Sequence, residues 1–361
     1  MTHDSETPPD DILSFDATTF DAELRELLVA PNVATLREGV AALQAGWLAA
    51  DRPDANGAGI SFPFSFIAEE LAQIGAALTI ERARYYVERL RRSGGQPRTN
   101  GVNDLDLNRW KTYADIQTDS LWQIERRDKV GAHTAGYWGN FVPQIPNQMM
   151  RRYTKKGDWV LDAFAGSGTT LIEAQRLGRN CLGVELQEDV AASARARVES
   201  EPNQHGTIGQ IVTGDSSGVD FRALLGQHGQ QQAQLVLLHP PYHDIIKFSS
   251  DPRDLSNCGT VERFLEQLGE VSEQAAQALA PGGHLVLVIG DKYARGEWLP
   301  LGFQAMQALQ RPGLTLKSIV VKNFEETTGK RTQKELWRYR ALAGGFFVFK
   351  HEYIFVFEAT G

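Results

Sequence analysis

From Trp159 to the end of the chain, short apolar runs alternate with helical stretches, and this rhythm limits the fold more than any other feature. Parallel strands must be joined by a long crossover, usually a helix, so the alternation predicts a largely parallel sheet with helices on its faces. Strands are expected near residues 159–163, 181–185, 209–213, 234–238, 284–290, 315–321 and 352–358. Helices are expected over Gly168–Leu177, Val190–Val198, Val261–Ala280 and Leu301–Leu309. The fold class is therefore α/β, a Rossmann-like sheet of seven strands. In such sheets ligands sit at the carboxyl ends of the strands.

Two strand ends carry chemistry. The first is Asp162-Ala-Phe-Ala-Gly-Ser-Gly-Thr-Thr170, an apolar strand running into a glycine turn that opens a helix. A phosphate-binding P-loop would place Gly-Lys-Ser/Thr there, but Thr169 and Thr170 follow Gly168 and no lysine is present. A nicotinamide turn wants a third glycine where Leu171 stands. What remains is a bare backbone that an adenosyl ligand's amino-acid end can approach closely. Glu185 ends the next strand, placed to accept ribose hydroxyls, and Asp215 ends the one after, placed for an adenine amino group. Each could instead cap its following helix. The second strand end is Leu235-Val-Leu-Leu-His239-Pro-Pro-Tyr242, where two prolines stiffen the turn that presents an aromatic side chain.

The 361 residues suffice for one large or two modest domains. Residues 1–12, acidic and rich in Pro, Ser and Thr, read as a disordered tail. Residues 13–125 read as a mostly helical N-terminal region and a candidate for target recognition, since apolar residues recur at helical spacing from Phe20 to Ala50 and from Phe66 to Arg92. A turn-rich linker begins near Arg91, and residues 126–361 form the catalytic domain, with a basic insertion near 322–350. The start of the chain is acidic where a secretory signal is basic, and no apolar run approaches the roughly 18 to 20 residues of a spanning helix, so a cytoplasmic location is expected. Cys181 and Cys258 cannot make a disulfide framework.

The region from Gly136 to Ala359 resembles the DNA amino-methyltransferases, which modify adenine at N6 or cytosine at N4 with S-adenosylmethionine. Gly139-Asn140-Phe141-Val-Pro143-Gln-Ile-Pro146, Asp162–Thr170, Glu185, Asp215 and His239–Tyr242 carry the resemblance. It implies a class I methyltransferase sheet with S-adenosylmethionine held by Phe141, Asp162, Phe164, Gly166, Gly168, Thr169, Glu185 and Asp215. His239, Pro240, Pro241 and Tyr242 would then form the catalytic turn. In this family a side chain and a main-chain carbonyl of that turn hold the amino hydrogens of the target, and the aromatic residue stacks on a base flipped from the duplex. The cofactor elements precede the catalytic turn, and only about 20 residues separate Asp215 from Leu235. No recognition domain fits there, which leaves target reading to the N-terminal region, to 322–350, or to both.

The chain departs from the family at His239, where Asp, Asn or Ser is usual. A neutral imidazole nitrogen can accept one hydrogen bond and an imidazolium cannot, so activity is expected to fall as pH drops through a His239 titration referenced near 6.5. The departure also blurs the target, with adenine slightly favoured. A metal on His239 and His243 is disfavoured because Pro240 and Pro241 prevent a shared helical face. Methylation at cytosine C5 needs a nucleophilic cysteine, typically after proline, but Cys181 and Cys258 both follow asparagine. The strand over His351–Phe357 is assigned packing only.

The net charge of −8 argues against a surface coated in phosphate-binding residues. Residues 317–350 nevertheless hold eight basic residues against three acidic ones. Lys330, Arg331, Lys334, Arg338 and Arg340, together with Lys247, are the candidate double-stranded DNA contacts. A restriction or defence partner is compatible with this reading, and the oligomeric state is left open. Two other readings stand beside it: an RNA base-amine methyltransferase, and a catalytically silent module that binds S-adenosylmethionine or DNA.

Overall fold

The computed structural model describes residues 11–49, 59–133, 139–294, 296–323 and 334–360. The chain divides into two compact units, residues 1–101 with 105–116, and residues 102–104 with 117–361.

In the first unit, β1 (Ile12–Asp16) leads into α1 (Ala17–Leu28) and α2 (Val33–Trp47), and β2 (Gly59–Pro63) leads into α3 (Phe64–Gly75) and α4 (Ile80–Ser93). Three helices start on side-chain caps: Asp16, Asn32 and Thr79 accept from the backbone N–H of Thr19, Thr35 and Arg82. Helical periodicity buries Leu24, Leu36, Ile67, Leu71 and Val87 around an aromatic knot of Phe15, Phe20, Trp47 and Phe62. Phe15 and Phe62 come from the antiparallel pair β1 and β2. These two strands add to the mostly helical unit expected from sequence. Five residues pairing over a long separation leave little local signal.

The second unit begins with β3 (Leu121–Trp122) and α5 (Gln144–Tyr153), then runs β4 (Trp159–Asp162), α6 (Thr169–Leu177), β5 (Asn180–Glu185), α7 (Glu188–Ser200), β6 (Gly209–Thr213), α8 (Phe221–Gly226) and β7 (Ala233–Leu238). It continues with α9 (Val261–Gln277), β8 (Leu279–Ile289), the short hairpin β9 (Lys292–Ala294) and β10 (Glu297–Leu299), α10 (Leu301–Leu309) and β11 (Leu314–Asn323). The last elements are a helix, α11 (Lys334–Gly344), and β12 (His351–Ala359).

The sheet order is β3-β11-β12-β8-β7-β4-β5-β6. Strands β4 to β8 are parallel, and β12 runs antiparallel between β11 and β8. The seven expected strands are present and form one Rossmann-like sheet. The two-residue β3, parallel to β11, makes an eighth. Both faces of the central strands are covered, which is why Val236, Leu237, Leu285 and Val286 read as continuous apolar runs. Strand order reverses between β4 and β7, so their carboxyl ends open a crevice at the switch point. The glycine turn follows β4 and the Pro-Pro-Tyr turn follows β7. Among the described residues, no helix is long and apolar enough to cross a membrane.

Candidate active site

A cleft of about 1340 Å³ runs along these strand ends, lined by Phe141, Phe164, Gly166, Glu185 and Asp215 on one side and by His239, Pro240, Pro241 and Tyr242 on the other. Gly166 and Gly168 both have positive φ, 49° and 84°, a conformation that favours glycine and lets the chain turn sharply into α6. The turn leaves the Gly166 N–H aimed at Glu185, whose Oε2 accepts it at 2.9 Å, while Oε1 accepts the Gln187 N–H at 3.0 Å. Burial raises the Glu185 pKa against these two hydrogen bonds. Asp215 accepts from the backbone and hydroxyl of Ser217 at 3.0 and 2.8 Å, which fixes its carboxylate at the rim.

Three of the residues expected at the cofactor do not line the cleft. Asp162 is 1% exposed beneath the turn, where its Oδ1 accepts the Phe164 N–H at 2.9 Å and burial lifts its pKa to about 6. Gly168 caps α6 and packs against Ala194 and Val198. Thr169 donates to Asn140 Oδ1 at 2.6 Å and so ties the Gly139–Pro146 segment to the helix start. All three shape the turn from below.

On the side of the Pro-Pro-Tyr turn, the His239 ring stacks on Phe141 with centroids 4.6 Å apart and planes 17° apart. His239 Nε2 lies 3.2 Å from the Tyr242 hydroxyl, which donates to Glu352 Oε2 at 2.7 Å. Glu352 Oε1 in turn accepts from Lys322 Nζ at 2.9 Å. Among the described residues, His239 Nδ1 has no hydrogen-bond partner. Desolvation pushes the His239 pKa down to about 4, with Glu352 opposing and Lys322 adding to the fall. Burial and then Glu352 raise that of Tyr242, keeping the phenol protonated. The expected His239 titration near 6.5 is thus corrected downward, because sequence gives the reference value and not the burial.

The packing-only assignment of the last strand is also corrected. Glu352 of β12 and Lys322 of β11 both line the cleft, are 3% and 5% exposed, and face each other as cross-strand partners. A signal existed in the sequence: each is a charge at the end of an apolar strand run, and a charge buried there needs a partner. His243, the other histidine of the turn, is buried with φ 53°; its Nε2 bonds the Cys258 carbonyl and its Nδ1 meets Lys292. Asp291, at the end of β8, braces the sheet edge by accepting from Trp298, Gly302 and Tyr353. Of the expected DNA contacts, Lys247, Arg338 and Arg340 are exposed, and Arg340 lies over the Trp337 ring. Lys334 opens α11, whereas Lys330 and Arg331 lie outside the described residues.

Residues 88–196 match a family described as DNA methylase. Among curated proteins, the Type II methyltransferase M2.DpnII of Streptococcus pneumoniae is 34% identical over 100 residues, covering 27% of this chain and 34% of that protein. M.MjaII of Methanocaldococcus jannaschii, also a Type II methyltransferase, is 37% identical over 73 residues, covering 20% of this chain and 13% of its own. M.BglI of Bacillus subtilis is 32% identical over 98 residues, covering 27% and 26%. The matched stretch of this chain is thus similar to DNA methylases, Type II methyltransferases among them.

The chain spans about a third or less of the length of these curated relatives. The family match holds the glycine turn and Glu185, while His239–Tyr242 lies beyond it. Among solved structures, TrmN from Thermus thermophilus is similar over 61% of this chain and 49% of its own, at 18% identity and a TM-score of 0.40. S-adenosylmethionine is the methyl donor of the amino-methyltransferases, and the cleft suits it. A carboxylate has about four acceptor positions, of which the backbone takes one on each Glu185 oxygen. A second position on each oxygen stays available to a ribose hydroxyl, beside the open backbone of Gly166.

Proposed function

We propose that this protein methylates the exocyclic amino group of a base flipped out of double-stranded DNA, adenine N6 being the leading target and cytosine N4 the alternative. The observation that carries this reading is the bare Nδ1 of His239 in the same cleft as Glu185 and Asp215, where desolvation favours the neutral ring. Phe141, Phe164, Gly166, Glu185 and Asp215 would hold the cofactor, with Asp162, Gly168 and Thr169 supporting them. Bound there, S-adenosylmethionine would supply an activated methyl group for the amino nitrogen.

An exocyclic amine is a weak nucleophile because its lone pair is delocalised into the ring. His239 Nδ1 accepts one amino hydrogen and the stiffened Pro240 carbonyl accepts the other, which turns the lone pair toward the methyl carbon. Positioning and charge stabilisation supply most of the rate, as for other transfers with little acid–base work. The methylated amine is briefly cationic and loses one proton through Nδ1 to solvent. Tyr242 stacks on the base while its hydroxyl stays bound to Glu352. Lys247, Arg338 and Arg340 contact phosphates. The enzyme would act in the cytoplasm, marking sites that a partner nuclease or defence system then spares.

The test is mass spectrometry of nucleosides from DNA of cells expressing this chain, with His239→Ala and Tyr242→Ala as controls. N6-methyladenine or N4-methylcytosine appearing only with the intact turn is the expected result and names the base. Methylated nucleosides found in RNA alone, or cofactor binding with no turnover on either nucleic acid, would overturn the DNA reading.

A further inference from the structure

We propose that Glu352, held by Lys322, is a positioning residue that sets the tautomer of His239 through the Tyr242 hydroxyl and so leaves Nδ1 as the acceptor for the target amine. This inference rests on the reading that His239 faces that amine. An ammonium can only donate, so Lys322 Nζ gives a hydrogen to Glu352 Oε1 at 2.9 Å. The other carboxylate oxygen accepts the single proton of the Tyr242 hydroxyl at 2.7 Å.

With that proton committed, the Tyr242 oxygen can only accept from His239 Nε2, 3.2 Å away. A neutral imidazole carries one N–H, so if Nε2 holds it, Nδ1 is a lone-pair acceptor. The groups facing His239 are the Tyr242 hydroxyl, the Phe141 ring, Glu352 and Lys322, and burial keeps the imidazole neutral. A buried ion pair is weak evidence for stability, because its desolvation cost can exceed its attraction. Here the pair also gives the chain of hydrogen bonds a direction, which an apolar replacement could not do.

Glu352→Gln reverses that direction without changing shape. Lys322 can only donate, so it draws the amide carbonyl to itself and turns the amide NH2 toward Tyr242. The hydroxyl must then donate to His239 Nε2, which moves the imidazole proton to Nδ1 and blocks the acceptor. In the double variant Lys322→Met with Glu352→Gln the amide is released, can offer its carbonyl to Tyr242, and restores the original order.

The experiment reads the tautomer directly, by long-range proton–nitrogen correlation spectra of full-length protein with 15N-histidine, His239 being assigned by its loss in His239→Gln. The expected result is Nε2–H in the wild type, Nδ1–H in Glu352→Gln and Nε2–H again in the double variant. In single-turnover assays Glu352→Gln should lose roughly 10²-fold in rate, less than the ~10⁴-fold that a wrong tautomer costs where histidine must itself carry the proton of the reaction. Cofactor affinity, measured by calorimetry, should change less than about 3-fold, and the double variant should regain at least 10-fold of the lost rate. A wild-type protein carrying Nδ1–H overturns the proposal whatever the variants do, as does Glu352→Gln that keeps Nε2–H. If the wild type shows Nε2–H but methylates no DNA, the function reading fails and the hydrogen-bond order stands on the spectra alone.

Discussion

His239 stands where the resemblance leads one to expect an acidic or amide side chain, and its desolvation would make that replacement workable. With the pKa lowered from 6.5 to about 4, the ring is neutral over the whole range in which DNA enzymes are assayed. The sign follows: the acceptor is present above about 4 and lost only as pH falls toward it, so the chemical step should be flat from pH 5 to 8 in single-turnover measurements. His239→Ala should lower that rate by roughly 10²- to 10³-fold, in line with removal of one positioned hydrogen-bonding group. Another histidine, the buried His284, stacks on Tyr153 at 4.2 Å, and neither of its ring nitrogens has a hydrogen-bond partner among the described residues. Its pKa is likewise lowered to about 4 by burial. Between pH 6.5 and 4 the unfolded chain binds protons that the folded histidines refuse, so both residues subtract stability as pH falls through that window. Asp162, raised to about 6, acts in the opposite sense below pH 6. His284→Phe should therefore gain about 1–2 kcal/mol, the cost of an unsatisfied buried polar group, and should flatten the loss of melting temperature on acidification. His239 was legible in the sequence as an oddity, whereas its protonation state was not, because burial is a property of the folded chain.

At the scale of elements, the sheet was the most legible part. Short apolar runs bounded by turn residues marked the seven principal strands, most clearly the central ones, because strands covered on both faces must be apolar throughout. The glycine and Pro-Pro-Tyr turns were legible for a related reason, since glycine and proline write backbone conformation into the sequence. The partnership of Lys322 with Glu352 was not: it depends on β11 and β12 lying side by side in one register, and the intervening chain gives no hint of that register. Tyr242 likewise depends on a distant element. A Cβ on Gly290, just past β8, would sit 3.0 Å from its ring. Gly290→Ala should thus push the ring by a few tenths of an ångström and cost several-fold in rate, below the ~10²-fold that a 1 Å misplacement can cost. Cofactor affinity, titrated in parallel, should be unchanged, and a loss of both would instead mark general damage to the cleft.

For the whole molecule, a net charge of −8 and the proposed polyanionic substrate are reconciled by where the charges lie. The exposed cations of α11 and Lys247 belong to the unit that holds the cleft, so attraction can be local while the rest of the surface repels. If Arg338 and Arg340 each meet a phosphate, the double alanine variant should bind DNA more weakly at every sequence. The slope of log affinity against log salt should then shrink by about 0.9 for each phosphate no longer neutralised, measured from 50 to 200 mM salt. An unchanged slope would remove α11 from the interface. The segment between β11 and β12 leaves and re-enters the sheet at Asn323 and His351, which are neighbours in the same ladder. Both ends of residues 324–350 are therefore already held together by the sheet, and replacing the segment with one of different length adds little closure entropy. It can be treated as a cassette: exchanged between relatives at those two residues, it would carry its own surface with it and leave the strands beneath in register.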